Sequence, residues 1–397
     1  MDRPERVDIA VVGAGPVGHA VALLVSEFAK SVALIGPDVS PSETRTTALL
    51  NGSVRLFRHV GAWDAMEEHG APLKTMRIID DTGRLVRAPT VTFEAEEIGE
   101  DQFGINVPVR HVTAALARRV SEAPAITRMT GAVSALEETA ESATLTLADG
   151  SALQADMVIA ADGRLSVCRE SLGITVSEQR YPQSAIALNL THEKPHNDIS
   201  TEFHKPTGPF TLVPLHGLNS ALVCVVTPDE AEELVALRPD QLGREITRRS
   251  RGLLGQIKAN GPARSYPLVS QTARRLVGER TALVGEAAHV MPPIGAQGLN
   301  LGLRDIASIY ECLARHWVPG GDPAAALSAY SRARTVDIRT RMTAVDLLNR
   351  SLLSDFIGLQ GLRSLGLHAV RGIAPLRRMV MREGLSPSYA TPSLMRG

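Results

Sequence analysis

The sequence predicts an α/β protein in which a Rossmann-type domain is interrupted by an antiparallel-sheet domain and followed by a C-terminal helical segment. Three observations carry this reading. Residues 7–12 form a short apolar run that turns through Gly13, Gly15 and Gly18 into an apolar helix, and residues 31–35 are a second apolar run. That succession of strand, glycine turn, helix and strand is a βαβ beginning. Residues 281–284 repeat the buried-strand pattern and again lead into a glycine-rich loop and a helix. Between them, residues 181–228 alternate apolar and polar side chains between turn signals, as antiparallel strands do.

The elements follow in order. The uncharged run 9–26 approaches the length of a membrane span, but Gly13, Gly15, Pro16, Gly18 and His19 make strand, turn and helix the better reading, with the helix ending near Lys30. Residues 48–58 and 62–68 read as short amphipathic helices, and 74–80 and 84–93 as strands around Asp81-Thr82-Gly83. Residues 109–121 are helical because Val112, Leu116 and Val120 recur at fourfold spacing. A hairpin is expected over 142–161, where Thr144-Leu145-Thr146-Leu147 alternates, Asp149-Gly150 turns and 155–161 returns. A helix over 299–314 follows the second glycine loop, and the chain is mainly helical after Pro323. The division that results is a nucleotide-binding domain of 1–73, 101–172 and 271–329, a substrate domain of 74–100 and 173–270, and a helical region of 330–397.

Composition narrows the function classes. With 397 residues, 44% hydrophobic and 21% charged, the chain is too long for one ordinary core and too apolar to be disordered. A net charge of −1 carries no nucleic-acid signature. Cys168, Cys224 and Cys312 lie far apart, which suits a reducing compartment, and no His/Asp/Glu spacing suggests a metal. The start Met1-Asp2-Arg3-Pro4-Glu5-Arg6 lacks the basic region of a secretory signal, so the expectation is a cytoplasmic protein.

Three motifs carry chemistry. In Gly13-x-Gly15-x-x-Gly18 the first glycine permits the tight turn, the second lets a pyrophosphate approach backbone N–H groups, and the third lets helix pack on strand. The acid that should end the second strand is missing: Gly36 stands there, and Asp38 from the loop, or a water, is left to take the ribose hydroxyls. The second motif is an apolar strand ending in Asp162-Gly163, followed by Arg164, Ser166 and Arg169. The third places Glu286 at the carboxyl end of a strand, then His289, Pro292, Pro293, Gly295, Gln297 and Gly298 in a loop feeding a helix. Such a loop can lie against a planar ring and direct N–H groups and a helix dipole at developing negative charge. His289 reads as a structural histidine packed behind it.

In this order the motifs resemble the flavoprotein aromatic hydroxylases of the para-hydroxybenzoate hydroxylase type. The chain is more closely similar to the ubiquinone-biosynthesis hydroxylases, through Pro293-x-x-x-Gln297-Gly298-x-Asn300-x-Gly302-x-x-Asp305, Gly208-Pro209-Phe210-Thr211-Leu212-Val213-Pro214-Leu215 and Leu362-Arg363-Ser364-Leu365-Gly366-Leu367. The resemblance covers residues 7–382 and implies one FAD. It places Gly13, Gly15 and Gly18 at the pyrophosphate, Arg45 and Arg110 facing the cofactor, and Asp162 in a motif touching FAD and reduced nicotinamide. Glu286 falls at the ribityl chain, with Gly298, Leu299 and Asn300 beside the isoalloxazine. Pro292, Pro293 and Gly295 would form the flavin-facing loop. The chain departs from the family pattern at Gly36, usually Glu; Glu286, usually Asp; Pro292, often His; and Ala296, often Gly.

The chemistry implied is FAD-dependent monooxygenation of a polyprenylated phenol on the way to ubiquinone. NADH or NADPH serves as transient reductant, O₂ as oxidant and a flavin C4a-hydroperoxide as donor. Two alternatives are the same chemistry on a soluble phenol and a non-catalytic flavin-fold subunit of a quinone-making assembly; a homo-oligomer also fits. In the tail, Leu362, Leu365, Ala369, Ile373, Leu376 and Val380 recur on one helical face, with Arg363, Arg371, Arg377, Arg378 and Arg382 on the other, and 356–382 contains no acid. By itself that pattern favours a helix packed on the domain with its arginines in solvent, while the polyprenylated substrate that the resemblance implies favours the inner face of an anionic membrane; Pro375 is expected to break it in two.

Overall fold

A computed structural model of the protein describes residues 5–38, 44–83, 88–293, 297–353, 357–385 and 391–396. From the amino end come β1 (Arg6–Val12), α1 (Pro16–Val25), β2 (Val32–Gly36), β3 (Thr46–Leu50), α2 (Asn51–His59), α3 (Asp64–Glu67), β4 (Ala71–Leu73), β5 (Thr75–Asp80), β6 (Val91–Glu94), β7 (Gly104–Pro108) and α4 (Val109–Glu122). The middle holds β8 (Ile126–Thr130), β9 (Val133–Glu138), β10 (Ala143–Leu147), β11 (Ala152–Ala160), α5 (Val167–Ser171), β12 (Val176–His192), β13 (Ile199–Lys205), β14 (Gly208–Leu215), β15 (Asn219–Val226), α6 (Pro228–Ala236) and α7 (Pro239–Arg249). The last part holds β16 (Ile257–Ala259), β17 (Arg264–Ala273), β18 (Thr281–Leu283), β19 (His289–Val290), α8 (Gln297–His316), α9 (Ala324–Leu353), α10 (Ile357–Gly372) and α11 (Ala374–Leu385).

The first sheet runs β8-β2-β1-β11-β10-β9, with β18 also on β11. Its β8, β2, β1, β11 and β18 pair in parallel, so both faces must be covered, and Ile9, Val11, Leu34, Ile35, Val158 and Ile159 are fully buried. β11 has two uses. Its first half closes the expected hairpin with β10, with Gly150 at a φ of 84° in the turn, and its last residues pair with β18. The second sheet runs β19-β17-β12-β15-β14-β13-β5-β6, with β16 on β12. One face, with Ile186, Phe203, Phe210 and Leu222, packs on Leu234 of α6 and Leu242 and Ile246 of α7.

Several boundaries differ from the sequence expectation. Residues 48–58 are not one helix: the chain stays extended to Leu50 because β3 pairs with β7, and α2 begins only at Asn51. α1 ends at Val25, and within 62–68 the helix α3 is confined to Asp64–Glu67. The second sheet is not purely antiparallel, since β5 joins β13 in parallel. α9 begins before position 330 and binds the first sheet there, with Tyr330 Oη donating to Leu283 O at 2.7 Å.

The tail does break where Pro375 requires it, after Gly372, with Pro375 in the first turn of α11 where no N–H is needed. Its packing face is another matter. Leu367, Val370 and Met381 face Val91, Phe93 and Phe103, and Arg377 is held inward by Glu97 at 2.8 Å. Leu365, Ile373 and Val380 of the expected apolar face stand in solvent instead, with Met379. The face traced for one continuous helix does not continue across the break. Phe356 and the side chains of Leu362 and Arg363 lie outside the described residues.

Candidate functional site

Main-chain bonds bring the carboxyl ends of four strands into line. Gly13 N–H donates to Ile35 O at 2.7 Å, Ala161 to Val12 O at 2.7 Å, and Val284 to Ala160 O at 2.9 Å. The glycine turn, Asp162-Gly163 and Gly285-Glu286 therefore leave the sheet side by side, at the edge where open α/β sheets bind ligands.

The three glycines of the turn have different reasons. Gly13 has a φ of 110°, and a Cβ there would stand 2.2 Å from Ala161 O; one at Gly18 would stand 1.7 Å from Gly13 O. The protein's own packing demands these two. A Cβ at Gly15 would meet no atom within 4 Å. Gly15 is also the N-cap of α1, whose first-turn N–H groups receive no side-chain cap. Open space in front of uncapped N–H groups at a helix dipole's positive end fits a pyrophosphate. Burial holds the adjacent His19 below the usual imidazole range despite its contact with Gly15 O, so the ring is neutral at pH 7.

Asp162 supplies a second mark of a ligand. Its Oδ2 accepts from Cys168 N at 3.1 Å, while Oδ1 is buried without a partner among the described residues. Arg169, buried in α5, donates to Arg164 O at 2.9 Å and Ala287 O at 3.0 Å, tying this segment to the turn after β18. In that turn Glu286 is exposed.

The missing acid at the end of β2 has a packing cause. A Cβ at Gly36 would stand 2.6 Å from Ala14 N, so the glycine turn itself excludes a side chain there. Arg128 takes over this strand end, donating to Gly36 O at 2.8 Å and Pro37 O at 3.1 Å. Asp38 pairs with the same guanidinium at 3.3 Å.

At the start of α8 a Cβ on Gly298 again meets nothing within 4 Å, whereas one on Gly302 would stand 3.1 Å from both Gly285 Cα and a Val17 methyl. The first turn of α1 and the second turn of α8 thus meet around Val17. Leu299 packs on the first sheet's core. Asn300 turns its amide away from Gly298: Oδ1 accepts from Leu50 N at 2.9 Å and Ser53 Oγ at 2.7 Å, and Nδ2 donates to Ala48 O at 2.7 Å. Its side chain braces α8 on β3 and α2. Pro292 is buried and Pro293 exposed; Gly295 and Ala296 lie outside the described residues. Arg45, just before β3, and Arg110, in the first turn of α4, are exposed, and Val109 N–H donates to Arg45 O at 2.9 Å. Arg110 lines a cavity of about 370 Å³ with Asn189, His216 and the stacked pair His69–His111, ring centres 3.7 Å apart.

Behind this edge lies a charge network for which the motifs gave no role. Asp305 is fully buried; its Oδ2 accepts from Gly285 N at 2.9 Å and meets His289 Nε2 at 2.6 Å, and Oδ1 accepts from Arg334 at 2.8 Å. Arg334 continues to Asp337 at 2.5 Å, which also takes Arg304 at 3.1 Å and Arg341 at 3.1 Å. Arg341 reaches Gln297 at 2.7 Å. Burial and the Arg341 charge lower Arg304 to about 10, against the pull of Asp337, so it stays ionised at pH 7. The network fixes both ends of the loop, Gly285 and Gln297, and holds His289 behind it by Nε2, while Nδ1 is buried without a partner among the described residues. The available signal was the spacing of Arg334, Asp337 and Arg341, which share one face of a helix.

Residues 6–344 match the family described as FAD binding domain. The chain is 34% identical to ubiquinone hydroxylase UbiL of Rhodospirillum rubrum, over 98% of this chain and 92% of that one. It is 29% identical to 3-demethoxyubiquinol 3-hydroxylase of Escherichia coli, over 96% and 99%. Among solved structures, p-nitrophenol 4-monooxygenase PnpA of Pseudomonas putida shares the fold with a TM-score of 0.79 at 18% identity, covering 96% of this chain and 99% of that one. A Klebsiella pneumoniae HpxO variant complexed with FAD does so with a TM-score of 0.76 at 20% identity, covering 96% and 98%. The chain belongs to the FAD binding domain family and, within it, to the ubiquinone-biosynthesis hydroxylases.

Proposed function

We propose that the protein hydroxylates the aromatic ring of a polyprenylated ubiquinone precursor, using FAD, NAD(P)H and O₂. The observation that carries this is the meeting of three ligand marks at one sheet edge: the open Gly15 turn, the unpartnered Asp162 oxygen and the open start of α8. They occur in a chain alike over nearly its whole length to a ubiquinone hydroxylase. When bound, FAD supplies the redox chemistry that moves one oxygen atom from O₂ to the ring.

The chain's own residues then have separate tasks. Gly13, Gly15 and Gly18 with the α1 terminus would hold the pyrophosphate, Asp162 would touch FAD and the reduced nicotinamide, Glu286 would take the ribityl chain, and Arg45 and Arg110 would face the cofactor. The α8 terminus from Gly298 directs its dipole at the ring system, and Pro292 and Pro293 exclude water from it. In this reading the first sheet is the cofactor module and the second, with 74–100 and 173–270, the substrate module.

Deletion of the gene should abolish ubiquinone and accumulate a prenylated precursor lacking one hydroxyl; an unchanged quinone profile overturns the proposal. The visible spectrum separates the rivals, since a yellow protein with normal quinone points to a soluble phenol and a colourless one to a scaffold.

The tail supports a membrane-facing reading of the same function. Leu365, Ile373, Met379 and Val380 stand in solvent beside the exposed Arg371, Arg378 and Arg382. No helix among the described residues is long and apolar enough to cross a membrane. An amphipathic surface contact needs no such length. Ile373→Glu with Arg378→Glu should cut co-flotation with phosphatidylglycerol vesicles about tenfold while flavin content stays; equal flotation removes this reading.

A further inference from the structure

Strand β13 places two ionisable residues, Glu202 and His204, on one face of the second sheet. Register fixes which face. His204 pairs with Pro209, Pro209 lies opposite Val225, Val225 pairs with Ala185 and Ala185 with Tyr266, so these residues form one row across the sheet. Glu202, Thr211, Val223 and Ala187 form the next row. The intervening Phe203 and Phe210 face the other way, into the apolar cluster under α6 and α7.

The Glu202–His204 face is turned toward α9. From the same side Tyr181 Oη donates to Asp346 at 2.8 Å, and Asn349 Nδ2 donates to Gln183 Oε1 at 2.9 Å. Two turns upstream of Asn349, about 12 Å along the helix, Arg341 holds Gln297 at the start of α8. One helix therefore borders both the dyad's side of the sheet and the candidate flavin edge.

Within the dyad one atom is unaccounted for. His204 Nε2 lies 2.8 Å from Glu202 Oε1, and Thr211 Oγ1 donates to Glu202 Oε2 at 3.1 Å. The His204 side chain is only 5% exposed, yet its Nδ1 is buried without a partner among the described residues. Burial works against the Glu202 charge, but His204 and Thr211 outweigh it and hold the carboxylate below its ordinary range. With Nε2–H donating to an ionised carboxylate, Nδ1 is an acceptor, and a buried acceptor with nothing to accept marks a ligand position. Asp80, its register partner on β5, faces it from the next strand, and its carboxylate accepts from Thr82 and from Ala88 N. Tyr181, a second phenol on this face beside Tyr266, is pushed up to about 12 by burial and Asp346 and does not serve as a base.

We propose that His204 Nδ1 accepts the hydroxyl of the aromatic substrate and takes its proton as the ring is hydroxylated, with Glu202 positioning the imidazole. The proposal rests on the monooxygenase reading above and commits the substrate to a ring with a free hydroxyl. The O–H bond breaks, its electron pair stays on oxygen and raises the nucleophilicity of the ring, and an N–H bond forms at Nδ1. Glu202 stabilises the imidazolium, and the proton returns to the product oxygen before release. The oxygen atom inserted comes from O₂, as in the parent reaction.

The test uses full-length, FAD-loaded protein with 2-prenylphenol as probe, measuring hydroxylated product per O₂ consumed. His204→Gln should retain flavin and lower this ratio at least tenfold, with the balance released as hydrogen peroxide. His204→Ala should behave likewise, regain product on addition of imidazole, and gain rate as pH climbs toward the probe's own ionisation near about 10. Glu202→Gln should lower kcat with less effect on KM and keeps the dyad testable if both histidine variants fail to fold. A His204→Gln ratio equal to wild type, or no gain from imidazole, overturns the assignment while leaving the monooxygenase reading intact. Wild-type protein that hydroxylates no prenylphenol overturns both.

Discussion

Gly15→Val is expected to fold and to purify without flavin. The usual objection to such a variant is that a side chain in a tight turn unfolds the protein, and at Gly13 and Gly18 it holds, since a Cβ at either would overlap backbone atoms. At Gly15 the added Cβ meets no protein atom within 4 Å, so the isopropyl group enters only the space in front of the α1 terminus. The cost falls on the ligand, whose pyrophosphate must approach those N–H groups. The far-ultraviolet circular dichroism should match that of wild-type apoprotein, the visible flavin bands should be absent, and added FAD should not restore them. A folded variant with full flavin content would remove the pyrophosphate from this turn.

Asp305→Ala should destabilise the protein by about 3–5 kcal/mol, because it leaves the buried Arg334 charge and Gly285 N–H without their partner. Asp305→Asn, which keeps an oxygen acceptor, should lose less. Burial opposes the Asp305 charge, but His289 and Arg334 outweigh it and hold the carboxyl below its ordinary value. The sign of the pH dependence follows. A carboxyl with a depressed folded pKa contributes its stability above the unfolded value of about 3.9 and loses it as pH falls through the folded one. The wild-type advantage over Asp305→Asn should therefore be full at neutral pH and shrink in strong acid. Urea midpoints for the three proteins at neutral and acid pH measure this; coincident midpoints at neutral pH would show that the network holds nothing in place.

Legibility in the sequence followed the range of the interactions. The β1–turn–α1–β2 unit was readable because its rules are local: an apolar run, glycines and an apolar helix in contiguous chain. The hairpin of β10 and β11 was readable for the same reason. β3 was missed because residues 48–50 have helix-compatible side chains and become a strand only by pairing with β7, more than fifty residues away. Asn300 reads from its motif as a cofactor contact, and the motif does not reveal that its amide also braces Ala48, Leu50 and Ser53, a partner set that no spacing encodes. The tail shows the same limit, since its apolar repeat is real while the face it packs with is set by Val91, Phe93 and Glu97.

The sequence alone determined the family and the order of the three motifs, because each motif is written in contiguous residues; that a Cβ is barred at Gly13 was decided by Ala161, far along the chain. Tertiary structure decided which charges stand behind the loop, which strand end closes on Arg128 rather than on an acid, and that Glu202 and His204 share a face with one ring nitrogen left over. Those depend on burial and on contacts between distant segments. Burial turns an ordinary aspartate or histidine into a group that must find a partner, and only the folded chain says which partner is within reach.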